Sequence, residues 1–338
     1  VRVAIVHNAV SSHESEDQRD VLEQARAVAE ALESLGHQSL TLDCTLDLDQ
    51  LRRRLEEVQP DIVFNLVEAL GGSDWLIHLV PALLDVLNLP YTGSPTEAIF
   101  LSTQKLLAKQ RLRGADLPTP AWIAPASGRH AIWLGENVAV RQLAEPPTAG
   151  PWIVKTLWEH ASFAINDESL VAERPHDWEA WLEGHSQRLG RPCFAEQFIE
   201  GREFNLSLLD GLDEPQVLPS AEIDFSRFPA DKPRIVGYQA KWIADSPEYH
   251  DTPRRFDFPD ADQPLLASLV QLAEDAWDVF GLRGYARVDF RVDRRGQPWI
   301  LEINANPCLS PDAGFAAALE RAGIGYPEAI QRILDAAR

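Results

Sequence analysis

Apolar residues along the first ninety positions alternate between two spacings. "VRVAIVHN" and "HQSLTLDC" read as strands, as does "DIVFNLVE". Between the first two, "DQRDVLEQARAVAEALESLG" repeats Val21, Ala25, Val28, Leu32 and Leu35 at helical spacing, and Gly36 stops it. "LDQLRRRLEEV" is a second helix, and strand–helix–strand succession of this kind makes a parallel α/β unit. "WLIHLVPALLDVLNLP" adds a helix with Pro81 near its first turn, and "YTGSP" closes the unit.

A second region opens on the helix "STQKLLAKQRLRG", with Ser102 expected as its N-cap and Gly114 as its stop. The turn-rich "AEPPTAGP", the strand "WIVKTL", the loop "WEHASFAIND" and a helix around "DWEAWLEGHSQRLG" follow. The third region reads as the strands "CFAEQFIEG", "REFNLSLLDG" and "VLPSAEIDF", the helix "PLLASLVQLAEDAWDVFG" and a final hairpin.

The hairpin pairs "YARVDFRV" with "QPWILEIN" across "DRRG". Regular pairing sets Asp289 opposite Ile300 and Arg287 opposite Glu302. Ala286, Val288, Phe290, Trp299, Leu301 and Ile303 then share a core face, and Arg287, Asp289, Glu302 and Asn304 share the other. Asp289 and Glu302 become diagonal neighbours, about 7 to 8 Å apart at the backbone. Two carboxylates and an amide oxygen, without sulfur or imidazole, are hard ligands suited to Mg²⁺ or Mn²⁺, and Mg²⁺ completes its shell with water and substrate phosphates. The plain alternative is a solvated strand face with an Arg287–Glu302 pair of small energetic value. "NANP" after Glu302 is poor strand material, which favours a ligand.

Composition narrows the partners. At 338 residues with 45% hydrophobic content, the chain is long enough for two or three folded domains. A formal net charge of -21 without a basic block argues against nucleic acid or an anionic membrane as partner. Cys44, Cys193 and Cys308 stand far apart without metal-ligand spacing, which fits a reducing cytoplasm. No apolar run approaches a membrane span, and the opening residues are too short for a signal segment. A soluble cytoplasmic protein is expected.

No G-x-x-x-x-G-K-[ST] run occurs, and Gly71-Gly72 is by itself a loop signal. Phosphate contacts would therefore fall to scarce lysines. Lys155 lies in the apolar "WIVKTLW" and Lys241 in "YQAKWIA", where a charge is costly unless an anion meets it. Lys105 falls near a helix start, where a cation opposes the helix dipole. A snorkelling surface lysine is the bland reading of each.

The ordered set "YTGSP", "STQKLLAKQRLRGADLPTP", "WIVKTLWEHASFAI", "CFAEQFIEGREF", "YQAKW" and "GYARVDFRVDRRGQPWILEINANP" resembles the ATP-grasp enzymes, in the D-alanine–D-alanine ligase branch. The similarity runs from about Pro60 onward and is strongest over Gly284 to Pro307. It implies an N-terminal α/β (pre-ATP-grasp) domain, residues 1–97, and a two-subdomain ATP-grasp fold, residues 98–194 and 195–338, that grips ATP between antiparallel sheets. By resemblance Lys105, Lys155 and Lys241 contact ATP phosphates, Lys241 at the transferred one. Glu196, Gln197, Phe198 and Ile199 line the adenine slot and Glu203 binds the ribose. Asp289, Glu302 and Asn304 hold Mg²⁺ or Mn²⁺, and Arg287 stabilises an oxyanion.

The implied reaction is ATP-dependent amide or peptide bond formation between a carboxylate and an amine through an acyl phosphate. Small-molecule substrates and a homodimer are expected. The sequence departs from the branch after "NANP": Cys308 stands where a glycine is usual, and "PDAGF" replaces a serine-containing segment. Ala161 replaces a usual serine, Trp242 a usual tyrosine, and only "NLVEALGG" represents an N-terminal glycine-rich motif. Ser310, Asp312 and Arg321 are expected to build a different acceptor site, for an amine lacking an α-carboxylate. His7, Asn8, Glu14 and Glu16 are expected to meet the first substrate's amine, with a solvated polar loop as the alternative. D-alanine–D-alanine ligation proper and a small-molecule kinase on the same fold remain open.

Overall fold

The computed structural model describes residues 1–10, 16–124, 150–159, 165, 169–172, 176–211, 214–229, 232–243 and 245–337, without the side chains of Glu16, Asp17, Gln18 and Trp242. Glu14, Ala161 and the side chains of Glu16 and Trp242 thus lie outside the described residues.

The first part alternates β1 (Arg2–Asn8), α1 (Glu16–Ser34), β2 (Gln38–Cys44), α2 (Leu48–Val58), β3 (Ile62–Leu66) and α3 (Leu79–Leu87). Its strands lie parallel in the order β2-β1-β3. Because side chains alternate across a strand, β1 serves two cores. Val3 and Ile5 pack with α1, while Ala4 and Val6 pack with Leu51 and Leu55 of α2 and Val80 and Leu84 of α3.

Next come α4 (Thr96–Thr103), α5 (Lys105–Gly114), β4 (Trp122–Ile123), β5 (Trp152–Thr156), β6 (Leu170–Val171), α6 (Trp178–Leu189) and β7 (Cys193–Gln197). These strands form an antiparallel sheet in the order β4-β7-β5-β6. The expected cap at Ser102 is corrected. Ser102 lies inside α4, and Gln104 caps α5 by accepting from the Leu107 N–H at 2.7 Å. Lys105 is therefore the first residue of α5.

The third part holds β8 (Gly201–Leu209), β9 (Gln216–Val217), β10 (Ala221–Ile223), α7 (Tyr238–Trp242), α8 (Pro247–His250), β11 (Arg254–Arg255), α9 (Gln263–Phe280), β12 (Tyr285–Asp293), β13 (Pro298–Asn304), α10 (Gly314–Ala322) and α11 (Tyr326–Asp335). Its sheet runs β11-β10-β8-β12-β13, with β9 beside β8. One face is a core of Phe204, Leu206, Val288, Phe290, Ile300 and Ile303 against Leu269, Ala273 and Trp277 of α9. Such burial supplies about 25 cal/mol per Å² of apolar surface. The sheet is tight at Gly201, φ +154°, where an added Cβ would lie 1.9 Å from the Val292 carbonyl oxygen. Helices α10 and α11 return to the first part, with Phe315, Ile330 and Ile333 packing among Val3, Ile5 and Val28.

The expected hairpin register is corrected by one residue on the turn side of an irregularity and by two beyond it. Asp289 pairs with Glu302 and Arg287 with Asn304, while Phe290 pairs with Ile300. Leu301 is the extra residue of a β-bulge, which switches the faces of β13 at that point. Ile300 joins the core on one side of the bulge and Ile303 on the other, leaving Trp299 and Leu301 half-buried rather than core.

Candidate active site

The bulge brings the acidic groups closer than regular pairing allows. Asp289 and Glu302 are direct cross-strand partners, and Asn205 of β8 pairs with Asp289 from its other side. Cross-strand partners project to the same face, so Asn205, Asp289 and Glu302 form one row, with Ser207, Arg287 and Asn304 as the next. The Arg287 guanidinium donates from Nε to Asp289 Oδ1 at 2.7 Å and from Nη2 to Oδ2 at 2.9 Å. Asn205 Nδ2 donates to Asp289 Oδ1 at 2.8 Å. Burial alone would lower the Arg287 pKa, but Asp289 and then Glu302 outweigh it and hold the group charged. Asn304 Oδ1 accepts from the Asn306 N–H at 3.0 Å.

This face lines a cleft of about 1510 Å³ that Asn8, Asp20 and Glu68 of the first part line as well. Lys241, on the short helix α7, also lines the cleft, beside Glu203 of β8. Burial and the neighbouring Arg287 charge push the Lys241 pKa down, against Asp289, Glu302 and Glu203. Burial pushes Glu203 up, although Arg291 Nη2 approaches its Oε2 at 3.1 Å. Arg291 lies 5.0 Å above the Phe198 ring centroid. Glu203 and Phe198 are thus joined through one arginine.

The second sheet carries a buried charge cluster. Lys155 Nζ meets Glu196 Oε1 at 2.6 Å, and Lys109 Nζ meets Glu196 Oε2. Lys109 is 2% exposed and donates to Thr119 Oγ1 at 2.9 Å. Burial lowers the Lys109 pKa to about 8, with Glu196 opposing. Burial also acts to raise Glu196, but the Lys109 and Lys155 ammoniums keep it below its usual range. Lys105 Nζ donates to the Glu159 carbonyl at 2.5 Å. Of the expected adenine-slot residues, Ile199 is buried and Gln197 and Phe198 half-buried. Lys109 was missed in the sequence, although Leu106, Lys109 and Leu112 set a lysine in an apolar helical stripe.

The acceptor segment is built differently from expectation. Ser310 is 1% exposed and donates from Oγ to Asp20 Oδ1 at 2.7 Å, so its hydroxyl braces the segment against α1 rather than facing the cleft. Cys308 Sγ donates to Asp20 Oδ2 at 2.9 Å, and the Leu309 N–H donates to Gln24 Oε1 at 2.9 Å. Asp312 does line the cleft, whereas Arg321 pairs with Asp257 at the surface. His7 is buried and bonded through Nδ1 to the Asn8 carbonyl at 2.8 Å. Asn8 reaches the cleft, its Oδ1 accepting from the Glu68 N–H at 3.2 Å. Asp20 and Glu68 are cleft residues that sequence patterning did not single out, because only the packing of α1 against the acceptor segment brings them there.

Among the described residues, no three His, Cys, Asp or Glu side chains gather to hold a metal ion by themselves. Asp289, Glu302 and Asn304 instead form an oxygen-only donor set that fits a hard cation sharing its shell with phosphate oxygens.

Residues 114–335 match the family model described as D-ala D-ala ligase C-terminus. A D-alanine–D-alanine ligase of Moorella thermoacetica is 30% identical over 345 residues, covering 100% of this chain and 99% of that protein. Uncharacterized protein y4sG of Sinorhizobium fredii is 30% identical over 320 residues, covering 93% and 87%. The crystal structure of a D-alanine–D-alanine ligase from Bacillus anthracis complexed with ATP aligns with a TM-score of 0.71 at 18% identity, covering 99% of this chain and 96% of that one. That likeness shows the fold. Fold and relatives together define an ATP-grasp enzyme, an ATP-dependent carboxylate–amine ligase. The chain belongs to the D-alanine–D-alanine ligase family.

Proposed function

We propose that the protein joins an amino acid or a similar small acid to an amine through an acyl phosphate, with an acceptor subsite of its own design. The observation that carries this reading is the Asp289–Glu302 pair, opposed across the bulged hairpin and flanked by Arg287, on a cleft wall shared with Lys241. Residues 1–97, 98–194 and 195–338 remain the proposed domains, although the pairing of Cys193–Gln197 within the second sheet favours a second boundary just after Gln197.

Lys105, Lys155 and Lys241 would offset the charge on the phosphates of ATP while the substrate carboxylate oxygen attacks the γ-phosphorus and ADP leaves. Glu196, Gln197, Phe198 and Ile199 would hold the adenine, and Glu203 the ribose hydroxyls. Asp289, Glu302 and Asn304 would hold Mg²⁺ or Mn²⁺, which supplies charge neutralisation at the phosphates when bound. The amine then attacks the acyl carbon and loses a proton, Arg287 stabilises the tetrahedral oxyanion, and phosphate departs. Glu16 would meet the donor's amine, as the resemblance implies, Asn8 and Glu68 would orient the donor from the first part, and Asp312 would orient the acceptor.

The same reading sets the enzyme in the cytoplasm, supported by three free cysteines, and as a homodimer through the first part, supported by its exposed Leu46 and Val86. No described helix is long and apolar enough to cross a membrane.

The test is ATP- and Mg²⁺-dependent phosphate release over D- and L-amino acids, singly and in pairs, with simple amines included and products weighed by mass spectrometry. An amide product with stoichiometric phosphate is expected. A stable phosphorylated product without free phosphate would instead make it a kinase.

A further inference from the structure

Two consecutive arginines form β11, the edge strand of the sheet that carries Asp289 and Glu302. Alternation sends them to opposite faces. Arg255 pairs with Glu222, which is also held by Arg202 at 2.7 Å, on the face away from the cleft. Arg254 pairs in register with Ile223, which pairs in turn with Glu203, and all three line the cleft.

The side chain of Arg254 crosses toward the segment that follows Asn306. Its Nε lies 3.2 Å from where a Cβ on Gly314 would stand, so the absence of a side chain there leaves room for the guanidinium. Partial desolvation at the cleft rim and the Arg287 charge act against its positive form, Asp312 is the nearby carboxylate that favours it, and Arg254 keeps an exposed side toward solvent. Among the described residues, the Arg254 guanidinium makes no side-chain hydrogen bond or ion pair, its backbone being engaged in the sheet. The other cations that the third part brings to the cleft differ. Arg287, paired with Asp289, and Lys241 are already assigned above to the oxyanion and to the transferred phosphoryl group, and Lys232 is paired with Glu248.

Resting on the ligase reading above, we propose that Arg254 binds a carboxylate on the acceptor amine and so selects acidic acceptors. This reverses the expectation of an acceptor without a carboxylate. Ser310 has its hydroxyl turned to Asp20, so recognition of the acid passes from the serine-bearing segment to an arginine on the sheet edge. A guanidinium presents a planar fork of donors that matches a carboxylate in two parallel bonds, which a lysine cannot reproduce. The ligand proposed for Arg254 is the acceptor's carboxylate, and the anion that would compete for it is the phosphate chain of ATP.

The experiment uses the full chain, wild type beside Arg254→Ala and Arg254→Lys, each checked for an unchanged melting temperature. Steady-state phosphate release is measured with the acid–amine pair that the wild type uses, with its acceptor as free acid and as primary amide, and with ATP varied separately. Expected for Arg254→Ala is an acceptor KM raised about tenfold to a hundredfold, an ATP KM changed less than about twofold, and loss of preference for the acid over the amide. Arg254→Lys should recover part of that preference. An equal rise in the ATP KM would assign Arg254 to the phosphates and overturn the proposal. So would an unchanged acceptor KM, or a wild type that uses acid and amide equally. If the wild type releases phosphate with no acid–amine pair, the ligase substrates proposed above fail, and this assignment fails with them.

Discussion

Ser310 Oγ donates to Asp20 Oδ1 across 290 positions of sequence, and Cys308 Sγ takes the other oxygen of the same carboxylate. One acidic side chain on α1 thereby fixes the segment that opens α10. Asp20→Ala should leave a buried hydroxyl without its acceptor and cost about 1–3 kcal/mol, read as a lower urea midpoint at constant slope. It should also raise the acceptor KM more than the ATP KM, because Asp312 and Gly314 follow on the loosened segment. Equal effects on both constants would show that the brace does not act on the acceptor side.

Glu302 stands opposite Asp289 in register, on the face away from the core. Glu302→Gln keeps the volume and removes the charge. Phosphate release is expected to fall by at least about a thousandfold, on the order expected for losing metal-assisted charge stabilisation, with little change in melting temperature. Retained turnover would remove Glu302 from the metal assignment.

Lys109 keeps a folded-state pKa of about 8 against an ordinary 10.5, burial being the main cause. Between those values the unfolded chain holds a proton that the folded chain has released, so the unfolded state binds more protons and this group's contribution to stability rises with pH. Below about pH 8 both states hold it and the cost of burying the charge is full. The difference in unfolding free energy between wild type and Lys109→Met should therefore grow in favour of wild type from about pH 8 to about pH 10, measured by urea titration. A flat difference would mean that Lys109 titrates elsewhere.

Gly201 sits where β8 crosses β12 with no space for a side chain. Gly201→Ala should destabilise by more than about 3 kcal/mol, or abolish the folded state, since the contact is with backbone and cannot be relieved by a rotamer change. Differential scanning calorimetry decides it, and a melting point within a few degrees of wild type would show that the two strands separate easily.

The parallel first sheet and the polar row of the hairpin were legible because both are written in spacing, the former as alternating strand and helix periods, the latter as Arg287, Asp289, Glu302 and Asn304. The bulge at Leu301 was not, because a regular hairpin satisfies the same alternation and no residue there demands an extra position. Ser102 read as a cap because the break between α4 and α5 falls two residues later, at a glutamine, an uncommon capping residue. Arg254, Asp20 and Glu68 acquire meaning only when distant segments meet, and Ser310 was misread for the same reason: its partner lies on the first helix.

Helix α1 lies on the face of β1 that carries Val3 and Ile5, and α11 packs on α1 in turn, so a core begun by neighbours in sequence is completed by a segment distant from them. Until then the apolar side of α1 that meets α11 is open to solvent and to other chains. Pairings this remote in sequence form slowly, so that side of α1 is the apolar surface exposed longest during folding.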